Sequence, residues 1–197
     1  MTRDEILFFD RLSDSWDDNE FLSTPDKIRE LISLAEVKEG MNVLDLGSGT
    51  GVLIPFISET VGPEGHVLAV DISEGMLGKA KQKYGLLDNV DFRKLDFEEE
   101  ELRGEYDRIF LYCVYPHLHT PQLTLQRLIK TNLKPGGKLI VAFPTDEKYI
   151  NGIHRERKAE SELLPSAPTL SSIFNSWGLK SSVVAYDSNR YVIEVKV

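Results

Sequence analysis

The stretch VLDLGSGTGVLIPFI (43–57) places Asp45 two residues ahead of three alternate glycines, Gly47, Gly49 and Gly51, at the end of an apolar run. Glycines so spaced let a turn adopt positive φ and bring bare backbone against a ligand. The pattern is G-x-G-x-G, whereas a dinucleotide-binding turn is G-x-G-x-x-G, and Val52 stands where the next small residue would fall. A carboxylate at Asp45 would repel a pyrophosphate and attract an ammonium or sulfonium group. The chemistry therefore points to a ligand that is cationic at one end. Asp71, about 20 residues beyond the loop at the end of the next apolar run, suits the two hydroxyls of a ribose. Asp96 closes a third run and can accept from an adenine amino group, with Phe97 or Ile72 against the ring face.

Those carboxylates need a scaffold that brings the ends of several strands together. Short apolar runs alternate with longer amphipathic segments, which is the α/β pattern. Strands are expected at 41–47, 66–72, 90–96, 106–114 and 138–144, with helices at 51–62, 73–85 and 120–133 between them. Repeated β-α units make the sheet parallel and gather the loops at the carboxyl ends of its strands. The tail differs. A helix over 169–178 leads into LKSSVVAYD and RYVIEVKV, joined by a Ser-Asn turn too short for anything but an antiparallel hairpin. Ahead of the first strand, 3–12 and 24–36 read as helices, the second opened by a Ser/Thr cap before Pro25.

The 197 residues, 41% of them hydrophobic, suffice for one full core with a few additions. A net charge of −9 without a dense basic run argues against a nucleic-acid backbone as partner, so no DNA is expected. HRERK (154–158) is followed at once by AESE and reads as an alternating, solvated helix face. A single cysteine, Cys113, excludes an internal disulfide and a cysteine-based zinc cluster. No apolar run reaches the ~18 residues of a membrane span and no leader pattern opens the chain, so the expectation is a cytoplasmic protein without a membrane partner.

In their order, VLDLGSGTG, VLAVDIS, RKLDFE, YDRIFLYCV and LKPGGKLIVAF resemble the motif series of class I S-adenosylmethionine-dependent methyltransferases, over about residues 38–197. The resemblance implies a doubly wound, seven-stranded Rossmann-like α/β sheet, mostly parallel with an antiparallel last strand. It implies S-adenosylmethionine as methyl donor, with S-adenosylhomocysteine as product. Asp45, Leu46, Gly47, Ser48, Gly49 and Gly51 would then follow the methionine part, Asp71 the ribose, Ile72 and Met76 the adenine faces, and Asp96 with Phe97 its edge. Cys113 would lie beside the methyl donor.

Methyl transfer from a sulfonium is an in-line displacement, so the protein mainly positions the acceptor and keeps it deprotonated. Candidates stand after the fourth and fifth strands: Tyr115, His117 and His119, then Tyr149, Asn151 and His154. Of these, His154, His117 and Tyr115 are the expected catalytic group. Asn151 and His154 are three apart and can share a helix face. His117 and His119 without a third neighbouring ligand make a weak metal signal, and no metal is expected. CVYPH lacks the Asp/Asn-Pro-Pro-aromatic segment of amino-methylating DNA enzymes. Residues 1–36 form an N-terminal helical part, with Phe8, Phe9 and Trp16 available as a lid or as simple packing, and 37–197 the methyltransferase domain. The short segment 145–168 leaves no separate substrate domain and points to a small-molecule acceptor or a partner-supplied lid. A protein or RNA acceptor, a non-catalytic S-adenosylmethionine-binding protein and a homodimer stay open.

Overall fold

The computed structural model describes residues 3–18, 24–156 and 162–196. Seven strands are present: β1 Asn42–Leu46, β2 His66–Asp71, β3 Val90–Lys94, β4 Tyr106–Tyr112, β5 Leu133–Phe143, β6 Lys180–Asp187 and β7 Arg190–Lys196. The helices are α1 Arg3–Leu12, α2 Pro25–Leu34, α3 Ile54–Val61, α4 Glu74–Tyr84, α5 Pro121–Thr131, α6 Glu147–Glu156 and α7 Ala167–Ser176. All strands join one sheet in the order β3-β2-β1-β4-β5-β7-β6. The first five are parallel, and β7 runs antiparallel to both β5 and β6. The hairpin read from the tail is thus folded so that the last strand inserts between β5 and β6.

The central strands read as unbroken apolar runs because helices cover both faces of the sheet. Side chains alternate between the faces. Leu44, Leu46, Ile109 and Leu111 share a core with Leu125, Leu128, Leu170 and Phe174 of α5 and α7. Val43, Val67, Phe110 and Ile140 pack with Ile28, Leu31, Ile54 and Ile57 of α2 and α3. The chain moves outward from β1 to β3, then returns to lay β4 on the other side of β1. That reversal opens a crevice beyond the carboxyl ends of β1 and β4, where ligands of such sheets bind.

Several boundaries shift by two or three residues, and the start of β5 departs further from the sequence reading. KPGG was expected as a turn ahead of a strand at 138–144, but β5 begins at Leu133, which pairs with Tyr106 while Lys138 pairs with Arg108. Residues 134–137 are therefore looped out of the ladder as a bulge, with Gly136 at φ 77°.

The N-terminal segment docks on α4 through carboxylates at i, i+4 and i+7. Asp10 accepts from the Ser73 hydroxyl (2.5 Å) and the Gly75 N–H (3.0 Å). Asp14 pairs with Lys79 at 2.6 Å, and Asp17 takes Lys83 at 2.8 Å and the Thr50 hydroxyl at 2.5 Å. Among the described residues no helix is long and apolar enough to cross a membrane.

Candidate active site

The three loop glycines have three different physical reasons. Gly47, Gly49 and Gly51 all adopt positive φ (68°, 54° and 89°). A Cβ on Gly47 would lie 2.4 Å from a methyl of Val114, and one on Gly51 would meet Ile54 at 2.9 Å and the Tyr84 ring at 3.0 Å. A Cβ on Gly49 would meet nothing within 4 Å, so the space above this residue is open to a ligand. The loop is tethered from below: Gly47 and Ser48 donate to the Val70 carbonyl at 2.8 and 3.0 Å. Asp71 completes the tether, one oxygen accepting from Gly49 N–H and the other from Ser73 N–H, each at 2.8 Å.

Above the loop lies a cavity whose wall carries Asp17, Asp45, Asp71, Asp96 and Glu98 and, among the described residues, no Lys or Arg. Asp45 is 2% exposed. Burial, with the charge of Asp71 added, pushes its carboxyl up to about 7. Burial likewise raises Asp71, although its backbone hydrogen bonds pull the other way. Two hydroxyls on the same wall, of Ser48 and Tyr112, are buried without a hydrogen-bond partner among the described residues. A buried carboxylate and two unmet hydroxyls on one wall together suit the zwitterionic end of an amino acid. Ile72, Met76 and Phe97 supply apolar walls beyond Asp71. At the other end stand Cys113, Val114, Leu118 and His117. Cys113 holds φ 60°, a backbone conformation that non-glycine residues adopt mainly where surrounding structure enforces it.

A family model described as a methyltransferase domain matches residues 37–186, most of the chain. The chain belongs to the class I S-adenosylmethionine-dependent methyltransferase family. It is 33% identical over 117 residues to the ubiquinone/menaquinone biosynthesis C-methyltransferase UbiE of Vibrio campbellii, covering 57% of this chain and 45% of that protein. The chain thus spans about half the length of the curated relatives it matches. An S-adenosylmethionine-dependent methyltransferase from Aquifex aeolicus superposes with a TM-score of 0.69 at 27% identity, over 88% of this chain and 93% of that one. The DhpI-SAM-HEP complex gives 0.76 at 19% identity, over 98% and 96% respectively, a likeness of fold.

Within this methyltransferase-family chain the residues singled out by sequence separate into two groups. Asp45, Gly47, Ser48, Gly49, Asp71, Ile72, Met76, Asp96, Phe97, Cys113 and His117 all line the one cavity. Leu46 does not: it points into the core opposite Asp45, as alternation along β1 requires. Gly51 packs on Ile54 and Tyr84 behind the wall. Tyr115 turns away to meet the Phe174 ring edge-on at 5.5 Å. His154 also stands off the cavity and is 6% exposed, so the face expected to be solvated across 154–158 is buried at its first residue. Residues 157–161 lie outside the described residues.

Other wall residues carried no sequence signal. Thr50, Val52, Leu53, Tyr112 and Leu118 read as ordinary strand, helix or loop positions, and Glu98 as part of an acidic loop. Phe9, Trp16 and Asp17 of the N-terminal segment line the cavity, whereas Phe8 is 40% exposed. His119 pairs with Glu5 at 3.1 Å rather than with His117. His117 instead meets Glu162 at 3.0 Å, and the ligand atoms of His117, His154 and Glu162 lie within 4.8 Å of one another.

Proposed function

We propose that this chain transfers the methyl group of S-adenosylmethionine to a small-molecule acceptor. The observation that carries the reading is Asp45, a buried carboxylate on a cavity wall that, among the described residues, holds five acidic side chains and no Lys or Arg. Such a site favours a ligand bearing fixed positive charge and disfavours nicotinamide dinucleotides, whose pyrophosphate would face that wall. Bound S-adenosylmethionine supplies an electrophilic methyl on a sulfonium centre. Asp45 would hold its ammonium and the Ser48 and Tyr112 hydroxyls its carboxylate. Asp71 would accept from the ribose hydroxyls with the lone pairs left beside its two backbone bonds. Ile72, Met76 and Phe97 would enclose the adenine, and Asp96 would take its amino group.

Cys113 and Val114 would close the donor end, and His117, the one basic side chain of the wall among the described residues, would stand on the acceptor side. The N-terminal segment would act as a cover, since it contributes two aromatic rings to the wall and is latched to α4. A small acceptor is supported by UbiE, named for ubiquinone/menaquinone biosynthesis, and by the coclaurine N-methyltransferase fold neighbour bound to N-methylheliamine. The test is calorimetric titration with S-adenosylmethionine and S-adenosylhomocysteine, with NADH as control. Both sulfur ligands should bind and NADH should not. A chain that bound neither sulfur ligand would defeat the reading.

A further inference from the structure

His117 lies on the cavity wall, yet its Nδ1 side is engaged behind that wall. Glu162, from the segment that precedes α7, places Oε2 3.0 Å from His117 Nδ1, with side-chain exposures of 22% and 18%. Two side chains of α6 hold that segment. Asn151 clamps the backbone of Leu164, donating to its carbonyl at 2.9 Å and accepting its N–H at 2.7 Å. One turn on, His154 donates Nδ1–H to the Glu162 carbonyl at 2.5 Å. A carboxylate so pinned selects the Nδ1–H tautomer of His117 and leaves Nε2 as the proton acceptor. The His117 contact in turn holds Glu162 below the usual carboxylate range.

The rest of the acceptor end narrows what His117 would act on. Phe9 stands edge-on to the imidazole at 5.4 Å, and Val114 and Leu118 are apolar. Among the described residues, the wall would set its carboxylates against an anionic acceptor and offer it no Lys or Arg. A neutral, planar acceptor that must lose a proton suits this surface.

Resting on the proposed function, we infer that His117 is the general base for a phenolic acceptor, with Glu162 its positioning residue and Asn151 and His154 the strap that holds Glu162 in place. The phenol O–H bond breaks, its proton passes to His117 Nε2, and the electron pair stays on the phenolate. That pair forms the new bond to the donor's methyl as the S–C pair returns to sulfur. At oxygen this gives the methyl ether, and at a ring carbon a dienone, whose ring C–H proton then leaves to water while its oxygen takes one up to restore the phenol. The imidazolium is balanced by Glu162 and gives its proton to water after the products leave.

Two readouts test this on the full chain. Long-range 1H–15N spectra of the S-adenosylhomocysteine complex should show His117 as the Nδ1–H tautomer in the wild type. Glu162→Ala should lose that preference and Glu162→Asp should keep it. An Nε2–H tautomer in the wild type, or no change in Glu162→Ala, would overturn the dyad. Labelled S-adenosylmethionine is then offered with para-alkyl phenols and the matching benzoates. Label should enter the phenols alone, falling about 100-fold or more in His117→Ala and about tenfold or more in Glu162→Ala, with S-adenosylhomocysteine affinity kept within about twofold. Label in benzoates, or in no phenol while S-adenosylhomocysteine still binds, overturns the acceptor class. Activity abolished by a chelator and restored by zinc overturns the dyad in favour of a metal held by His117, His154 and Glu162. Failure to bind S-adenosylhomocysteine at all would instead count against the methyltransferase reading.

Discussion

Replacing Asp45 by Asn should stabilise the ligand-free protein while weakening ligand binding. Asp45 is 2% exposed and its carboxyl lies at about 7 in the fold, against 3.8 ordinarily. That difference corresponds to on the order of 4 kcal/mol disfavouring the charged form. Because the folded value is raised, the unfolded chain gives up this proton first. Below pH ~4 both states hold the proton and the residue is neutral in its effect. From pH ~4 to ~7 the folded state binds more protons than the unfolded one, so stability falls, and above pH ~7 the loss is complete. Asn has nothing to titrate. Asp45→Asn should therefore match the wild type in melting temperature near pH ~4 and exceed it by on the order of 10 °C at pH ~8, at about 2–4 °C per kcal/mol for a chain of this size. The same residue must be ionised to hold an ammonium. Binding of S-adenosylhomocysteine should then release about half a proton at pH ~7 and nearer one at pH ~6, read from calorimetric heats in buffers of different ionisation enthalpy. In the variant the release should vanish and affinity should fall by about 2–5 kcal/mol. A variant that melts below the wild type by the same amount at every pH, or wild-type heats that do not depend on buffer, would refute the argument.

Gly47→Ala and Gly49→Ala should part company. The first brings a methyl 2.4 Å from Val114 at positive φ and should lower stability by about 2–4 kcal/mol in thermal melts. The second meets only the positive φ, about 1–2 kcal/mol, and should show its larger effect in S-adenosylhomocysteine affinity. Tyr112→Phe removes a buried hydroxyl that lacks a partner, so ligand-free stability should hold or rise by about 1 kcal/mol while affinity drops, both read by melts with and without ligand. Asp17→Ala breaks contacts to Thr50 and Lys83. It should raise the S-adenosylhomocysteine dissociation rate and shift Trp16 emission, and an unchanged rate would deny the N-terminal segment a covering role.

The parallel strands were legible because both their faces are buried, and Asp45, Asp71 and Asp96 because each interrupts such a run at its carboxyl end. The bulge at 134–137 was not, since KPGG has the composition of a turn and only the pairing of Leu133 with Tyr106 reveals a strand that continues past it. Spacing correctly put Asn151 and His154 on one face of α6. It could not say which face is buried, because that depends on the return of the chain at Glu162 and Leu164. Glu162 itself gave no signal: SELLPS has the look of an exposed connection. Tyr115 was drawn to the site by its neighbours in sequence, but Phe174, 59 positions further on, captures its ring.

The Ser73 hydroxyl accepts from Met76 N–H at 3.1 Å, capping α4, while donating to Asp10. One proton donor thus belongs to two structures at once, the start of a helix that carries a cavity-wall residue and the latch of the segment that overlies it. Asp71, bonded to the N–H groups of Gly49 and Ser73, extends the same chain of contacts into the glycine loop. Opening the segment therefore takes away the acceptor that orients the Ser73 hydroxyl, one bond from the loop tether. On the proposed reading of this segment as a cover, exposing the cavity and slackening its walls would then be one event.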